Sequence, residues 1–197
     1  PSMITNNLLF NANYEITDKA EFYGFGGTSY RNGTSYGLYR PSYVANDYGL
    51  YDGNGFLPDF QTNIHDINLT LGLKGTMDGW QYDISTTRGK HTIDYTIGNT
   101  LNDSLGLTSP TRFAAGGYNF NHTVNNLDLS KTFGFVDIGL GFEFRNENFI
   151  ASAGEPNSYL GKGSISFPGL QPSNEVDENR HNLGVYVDVQ TQISAKL

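Results

Sequence analysis

Residues 137–145, Asp-Ile-Gly-Leu-Gly-Phe-Glu-Phe-Arg, decide the fold. Ile138, Leu140, Phe142 and Phe144 fall on one parity, and Gly139, Gly141, Glu143 and Arg145 on the other. Successive side chains of a strand point to opposite faces, so the segment predicts a ribbon that is apolar on one side and polar on the other. Residues 183–190 repeat the pattern, with Leu183, Val185, Val187 and Val189 against Gly184, Tyr186, Asp188 and Gln190. Further out, Ile67, Leu69, Leu71 and Leu73 alternate with polar or glycine neighbours, as do Leu8, Phe10, Ala12, Tyr14 and Ile16 near the start. Met77-Asp78-Gly79 leads into Trp80, Tyr82 and Ile84, and Asp-Gly between alternating runs is a strong hairpin signal.

The connections come in two lengths. Tight turns fall at Asp18, Asp78 and Gly134, and long Tyr/Gly/Asn-rich loops at about 31–63, 98–115 and 151–180. Bacterial outer-membrane barrels keep short turns on the periplasmic side and long loops outside, and show every second side chain to hydrocarbon. The predicted fold is therefore all-β, an antiparallel up-and-down transmembrane β-barrel segment of about seven strands, one unit over residues 1–197. Three details are less regular. Phe22, Tyr23 and Phe25 straddle both parities, leaving the facing of residues 20–30 open. Ile93, Tyr95 and Ile97 take the opposite parity to Tyr82 and Ile84, which predicts a bulge near residues 88–90. The last strand is expected to close near Ile193.

Composition narrows the alternatives. Apolar residues make up 37% of the 197, mean hydropathy is -0.43, and glycine, tyrosine and asparagine stand where leucine and alanine usually would. That suits a sheet with one wet face better than a compact helical core, although a secreted β-sandwich shares the turns and alternation. No run approaches the roughly 18–20 apolar residues of a membrane helix. The absence of cysteine removes disulfide and thiolate-metal chemistry. A net charge of -8 without clustered Lys and Arg argues against a nucleic-acid partner.

The smallest usual membrane barrel has about eight strands. An eighth hidden in a loop would give a small closed barrel with a structural or adhesive role. The start at Pro1 and the final Gln-Ile-Ser-Ala-Lys-Leu, with no terminal aromatic, instead predict a piece of a longer wall. The runs NANYEITDKAEFYGFGGTSYRNG (11–33), NGFLP (54–58) and LNDSLGLTSPTRFAAG (101–116) point the same way. So do FRNENFIASAGEPNSYLGKG (144–163) and FPGLQPSNEVDENRHNLGVYVDV (167–189). Together these resemble, in order, the middle of TonB-dependent outer-membrane receptors. The resemblance implies part of a plugged barrel of about 22 strands that takes up a ferric siderophore, cobalamin or glycan. It also implies as partners outer-membrane lipid, the remaining barrel strands, a plug and, through that plug, the TonB complex. Neither a plug nor a TonB-contacting segment is recognisable here.

For ligand capture, the first long loop offers Tyr36, Tyr39, Arg40, Tyr43, Tyr48, Tyr51 and Phe56. Aromatic faces stack on sugars or siderophore rings, and a guanidinium pairs with an anionic group. The opposing reading is that these rings pack among themselves. Arg112, Glu155, Tyr159 and Arg180 are the weaker candidates from the other loops, where charged side chains are usually just solvated. DYGLYDGNG (47–55) lacks the acidic spacing and closing Glu of a calcium loop and reads as a Gly-rich turn. His65, His91, His122 and His181 lack metal-ligand spacing. Serine is abundant, but no nucleophile-elbow context surrounds it, so neither a catalytic residue nor a cofactor is predicted. A hydrolase would need a Ser-His-acid set converging at one rim.

Overall fold

The computed structural model describes residues 1–43 and 46–191. Seven strands lie side by side in chain order: β1 (Ser2–Thr17), β2 (Ala20–Tyr36), β3 (Asp59–Met77), β4 (Trp80–Gly98), β5 (Arg112–Phe133), β6 (Val136–Ser152) and β7 (Val176–Thr191). Every pairing is antiparallel and joins sequence neighbours. Among the described residues β1 and β7 each keep one edge unpaired, so the sheet is open and not closed into a barrel. The expected end near Ile193 lies outside the described residues. No helix among them is long and apolar enough to cross a membrane.

The tight turns hold as read. Asp78 and Gly79 have φ of 53° and 79°, the left-handed pair of a two-residue hairpin whose twist matches its strands. The long connections are shorter than expected: they span 37–58, 99–111 and 153–175, because the strands continue as polar and aromatic ribbon beyond their apolar stretches. Arg180, expected in a loop, therefore stands in β7.

Register explains the two faces. Tyr14, Phe22, Leu73, Ile84, Leu127, Phe142 and Val185 are paired neighbours across all seven strands, one continuous apolar row on one face. Rows on either side add Leu71, Phe144 and Leu183, then Leu129, Leu140 and Val187, and most of these side chains are exposed. This face carries an apolar belt. Phe22 belongs to it, whereas Tyr23 and Phe25 point the other way, which settles the facing of β2. The belt runs obliquely to the pairing. The row through Leu8 of β1 reaches β7 at Asn179, four residues short of Leu183.

The opposite face is polar beside the belt. A cavity of about 700 Å³ near the tight turns is lined by residues from every strand, including Glu15, Glu21, Lys74, Asp83, Asp128 and Tyr186. A hollow that draws on every strand of one sheet marks that face as concave. Two tyrosines brace it from opposite sides. Tyr23 crosses Gly72 to donate its hydroxyl to Asp83 at 2.7 Å, and Tyr186 crosses Gly141 to donate to Asp128 at 2.8 Å. A Cβ on either glycine would collide with the ring above it. Asp83 and Asp128 face each other directly across β4 and β5. Like charges so placed repel, and the two phenol donors offset part of that repulsion.

Toward the long loops the polarity of the faces reverses. The belt side becomes Asn121 and Thr123 on β5, Asn146 and Asn148 on β6, and Asn179 on β7. The concave side becomes Ile93, Tyr95 and Ile97 on β4, Phe113 and Tyr118 on β5, and Phe149 and Ala151 on β6. The loops fold over this apolar patch, leaving Ile97, Leu101, Phe113 and Ala115 at 0% exposure. The parity change within β4 is thus a change of surroundings and not of phase. Pairing with β3 is unbroken through residues 88–90, so no bulge lies there. The register shift falls beside Tyr95, where pairing steps from Gly116 to Ala114 and leaves Ala115 without a partner.

Candidate functional site

The three long loops meet over the concave side and form one connected body. Loop 37–58 returns on itself through paired backbone bonds between Arg40 and Phe56, at 2.7 and 2.9 Å. Its turn is organised by Asp47, whose buried carboxylate accepts the backbone N–H groups of Gly49 and Gly53 at 3.0 and 2.8 Å. The stretch resembling a calcium loop spends its acid on its own backbone. Tyr51 stacks on Phe56 with ring centres 4.9 Å apart and donates its hydroxyl to the Thr100 carbonyl at 3.0 Å. Burial, with the nearby negative charge of Asp59, pushes the Tyr51 phenol up to about 12.

Asn102 ties the second loop to the third. Fully buried, its amide nitrogen donates to the carbonyls of Asn157 and Leu160, both at 2.8 Å, while its side-chain oxygen caps the short 3-10 helix Asp103–Thr108 by accepting from Ser104 N. Its backbone forms an isolated bridge with Ser164. On the other side, Ser158 of the short helix α1 (Pro156–Tyr159) is also fully buried and donates to the Glu155 carbonyl. Such satisfied buried polar groups fix one loop arrangement, since losing any partner strands another in a dry interior.

Asp103 joins all three loops. It accepts the Tyr48 hydroxyl of the first loop at 2.6 Å and the Lys162 ammonium of the third at 2.5 Å. The Lys162 ammonium, with the Tyr48 hydroxyl, holds the Asp103 carboxyl below its usual value of 3.8. Tyr48 is pushed above 10.0 by donating to Asp103. A lowered carboxyl stabilises the folded loops fully above 3.8 and loses that contribution as pH falls through its depressed value, while the raised phenol contributes below 10.0 and loses it on rising through its own. Amide-exchange protection at Lys162, whose N–H donates to Ser104 Oγ, is therefore expected to hold between those limits and to drop below about pH 4. Asp103→Asn should flatten the acid limb, and an unchanged limb would remove Asp103 as its origin.

Beside this junction a cavity of about 490 Å³ opens between the loops, lined by Asn46, Asp103, Lys162, Ser166 and Pro168 among others. Arg40 reaches its edge, donating from Nη2 to Ser166 Oγ at 3.3 Å. Of the aromatic candidates, Tyr48, Tyr51 and Phe56 are occupied in holding the loops together, and the Tyr39 hydroxyl donates to the Asn54 carbonyl. Tyr36, expected in the loop, ends β2 and is exposed on the belt side, away from the cavity; the ring of Tyr39 is exposed, and Tyr43 is 89% exposed.

The weaker candidates do not gather at the cavity. Arg112, on the belt side of β5, donates to Gln61 at 2.5 Å. Glu155 spends its backbone on Ala114 and Ser158, and Tyr159 is half-buried in the third loop. Arg180 pairs with Glu147 on the concave wall at 2.5 Å. Asn46, Asn102, Asp103 and Lys162 were not singled out by sequence; each is an isolated polar residue in polar surroundings, with no periodic or motif signal. No protein-family model matches the chain, and no curated protein matches it.

Proposed function

We propose that this chain is a section of a TonB-dependent outer-membrane uptake receptor, supplying part of the barrel wall and of the loops that capture the nutrient. The observation that carries the reading is the apolar row crossing all seven strands on the face opposite the charged concave side. A water-soluble sheet would cover so large an exposed apolar surface, whereas hydrocarbon is its natural neighbour. Tyr14, Trp80 and Phe133 stand near the turn end of the belt, as interfacial aromatics do, and Lys131 lies over Trp80 with its ammonium on the Asp78 carbonyl at 2.8 Å. The tight turns then lie in the periplasm and the loops outside the cell.

The free edges of β1 and β7 favour a larger wall over a small closed barrel with a structural or adhesive role. Further barrel strands are the partners of those edges, and a plug carries the link to TonB. The loop cavity and the exposed Tyr39 and Tyr43 receive the small-molecule ligand, and no covalent chemistry is involved.

The test uses cells that depend on the intact receptor, with a ferric siderophore, cobalamin or a glycan supplied in turn as the limiting nutrient. Tyr43→Ala combined with Lys162→Ala is expected to lower uptake several-fold while the protein stays in the outer-membrane fraction. Unaltered uptake would remove the loop cavity from ligand capture. Recovery in the soluble fraction would sink the membrane reading itself.

A further inference from the structure

Strand β4 carries two cations on the belt face, Arg88 and Lys90, both exposed. Register places them beside Leu69 and Ile67 of β3 on one side and Thr123 and Asn121 of β5 on the other. Their stems thus flank the upper margin of the belt, while the charged heads stay outside it. Neither forms an ion pair among the described residues. At this height Asp66, Glu147 and Glu178 project from the concave face, where Asp66 pairs with Arg31 and His91 and Glu147 with Arg180, while on the belt face of β4 the next acid is Asp94, four residues beyond Lys90. Two unpaired cations directed outward at the margin of an apolar surface offer a place for an anionic group from outside, in a chain whose net charge is -8.

Directly below them on the same face lies a groove of about 520 Å³. Leu71, Ile84, Thr86, Asn125, Leu127 and Phe142 are among the residues that line it. The short Thr86 and Asn125 face each other between Leu71 and Phe144 and leave the hollow. The volume falls within the roughly 300–1,000 Å³ of typical small-molecule sites. An apolar slot with two cations at its upper end matches a molecule with a hydrocarbon chain and an anionic head.

We propose that this face binds a phosphate-bearing membrane lipid of the leaflet on the loop side, its acyl chain in the groove and its phosphate on Arg88 and Lys90. The site rests on the membrane-spanning reading and is distinct from the loop cavity. The phosphate accepts from the guanidinium and ammonium, with the Asn121 and Thr123 side chains as neutral neighbours. The lipid phosphate supplies Arg88 and Lys90 with the ion pair that neither makes among the described residues.

The test is native mass spectrometry of the full chain from neutral detergent, with dimyristoyl phosphatidylglycerol and dimyristoyl phosphatidylcholine as competing probes. The wild-type protein is expected to retain phosphatidylglycerol about tenfold over phosphatidylcholine, since each basic residue near an anionic lipid adds a several-fold factor. Arg88→Gln with Lys90→Gln should bring the two lipids to parity, and Lys74→Gln, on the concave face, should leave the preference intact. No preference in the wild type, or a preference that survives the double substitution, overturns the proposal. Complete displacement by millimolar glycerol phosphate would assign the cations to free phosphate and overturn the lipid site. Protein that carries no detergent overturns the membrane reading beneath it, whereas protein that carries detergent without lipid preference overturns the lipid site alone.

Discussion

Arginine in place of Leu127 is expected to destabilise the sheet in a bilayer by about 2–4 kcal/mol, whereas arginine at the adjacent Asn126 should cost under about 1 kcal/mol. The two positions differ by one residue and by nothing else in the backbone. Leu127 sits in the row that runs from Tyr14 to Val185, in the middle of the belt, where a guanidinium meets hydrocarbon. Asn126 points to the concave side between Ser85 and Glu143, and a cation there faces an opposite charge. Urea unfolding from phospholipid vesicles, followed through the single tryptophan at Trp80, reads both. Equal costs would sink the assignment of the faces. In plain water the order would invert, because a charge at Leu127 would then relieve an exposed apolar patch.

Phe113→Ala should be the most damaging single truncation at the loop end, at about 3–5 kcal/mol for a fully buried ring that leaves a cavity behind. Phe113 pairs with Ile97 across β4 and β5, beneath the loops that bury Leu101 and Phe56. Its loss is expected to loosen the loops first and to leave the belt half of the strands in place. Exchange protection at the Ile165 amide, which donates to the Leu101 carbonyl at 2.9 Å, should fall while that at Leu140 holds. A uniform loss along the strands would show that the loop end has no separate core.

The belt half of the fold was legible because one apolar and one polar face impose a strict period of two, visible in Ile138 to Phe144 and in Leu183 to Val189. Turn chemistry was legible at Asp78-Gly79, where only a few residue types tolerate two left-handed positions. The loop half was not. In β4 the apolar parity changes between Ile84 and Ile93 although the ladder is regular, since the loops provide a second apolar surrounding on the other face. Periodicity records which side is greasy, and it misreads a change of neighbour as a change of phase. The site was legible only in outline. Of the tyrosines assigned to the first loop, Tyr36 ends β2, and Tyr48 and Tyr51 act as struts. The residue that locks the second loop to the third, Asn102, is one asparagine in a polar run. Its role depends on the carbonyls of Asn157 and Leu160, which lie more than fifty positions away.

The junction at Asp103 has a mechanical consequence. Loops tied to one another at Asp103 and Asn102, and seated on the apolar top of β4 and β5, are braced as one body among the described residues. A ligand entering from this side, as the receptor reading has it, would meet a rim braced against the strands beneath it. On the proposed receptor reading, this sector would be the stationary jaw, and an opening that admits cargo would come from movement elsewhere.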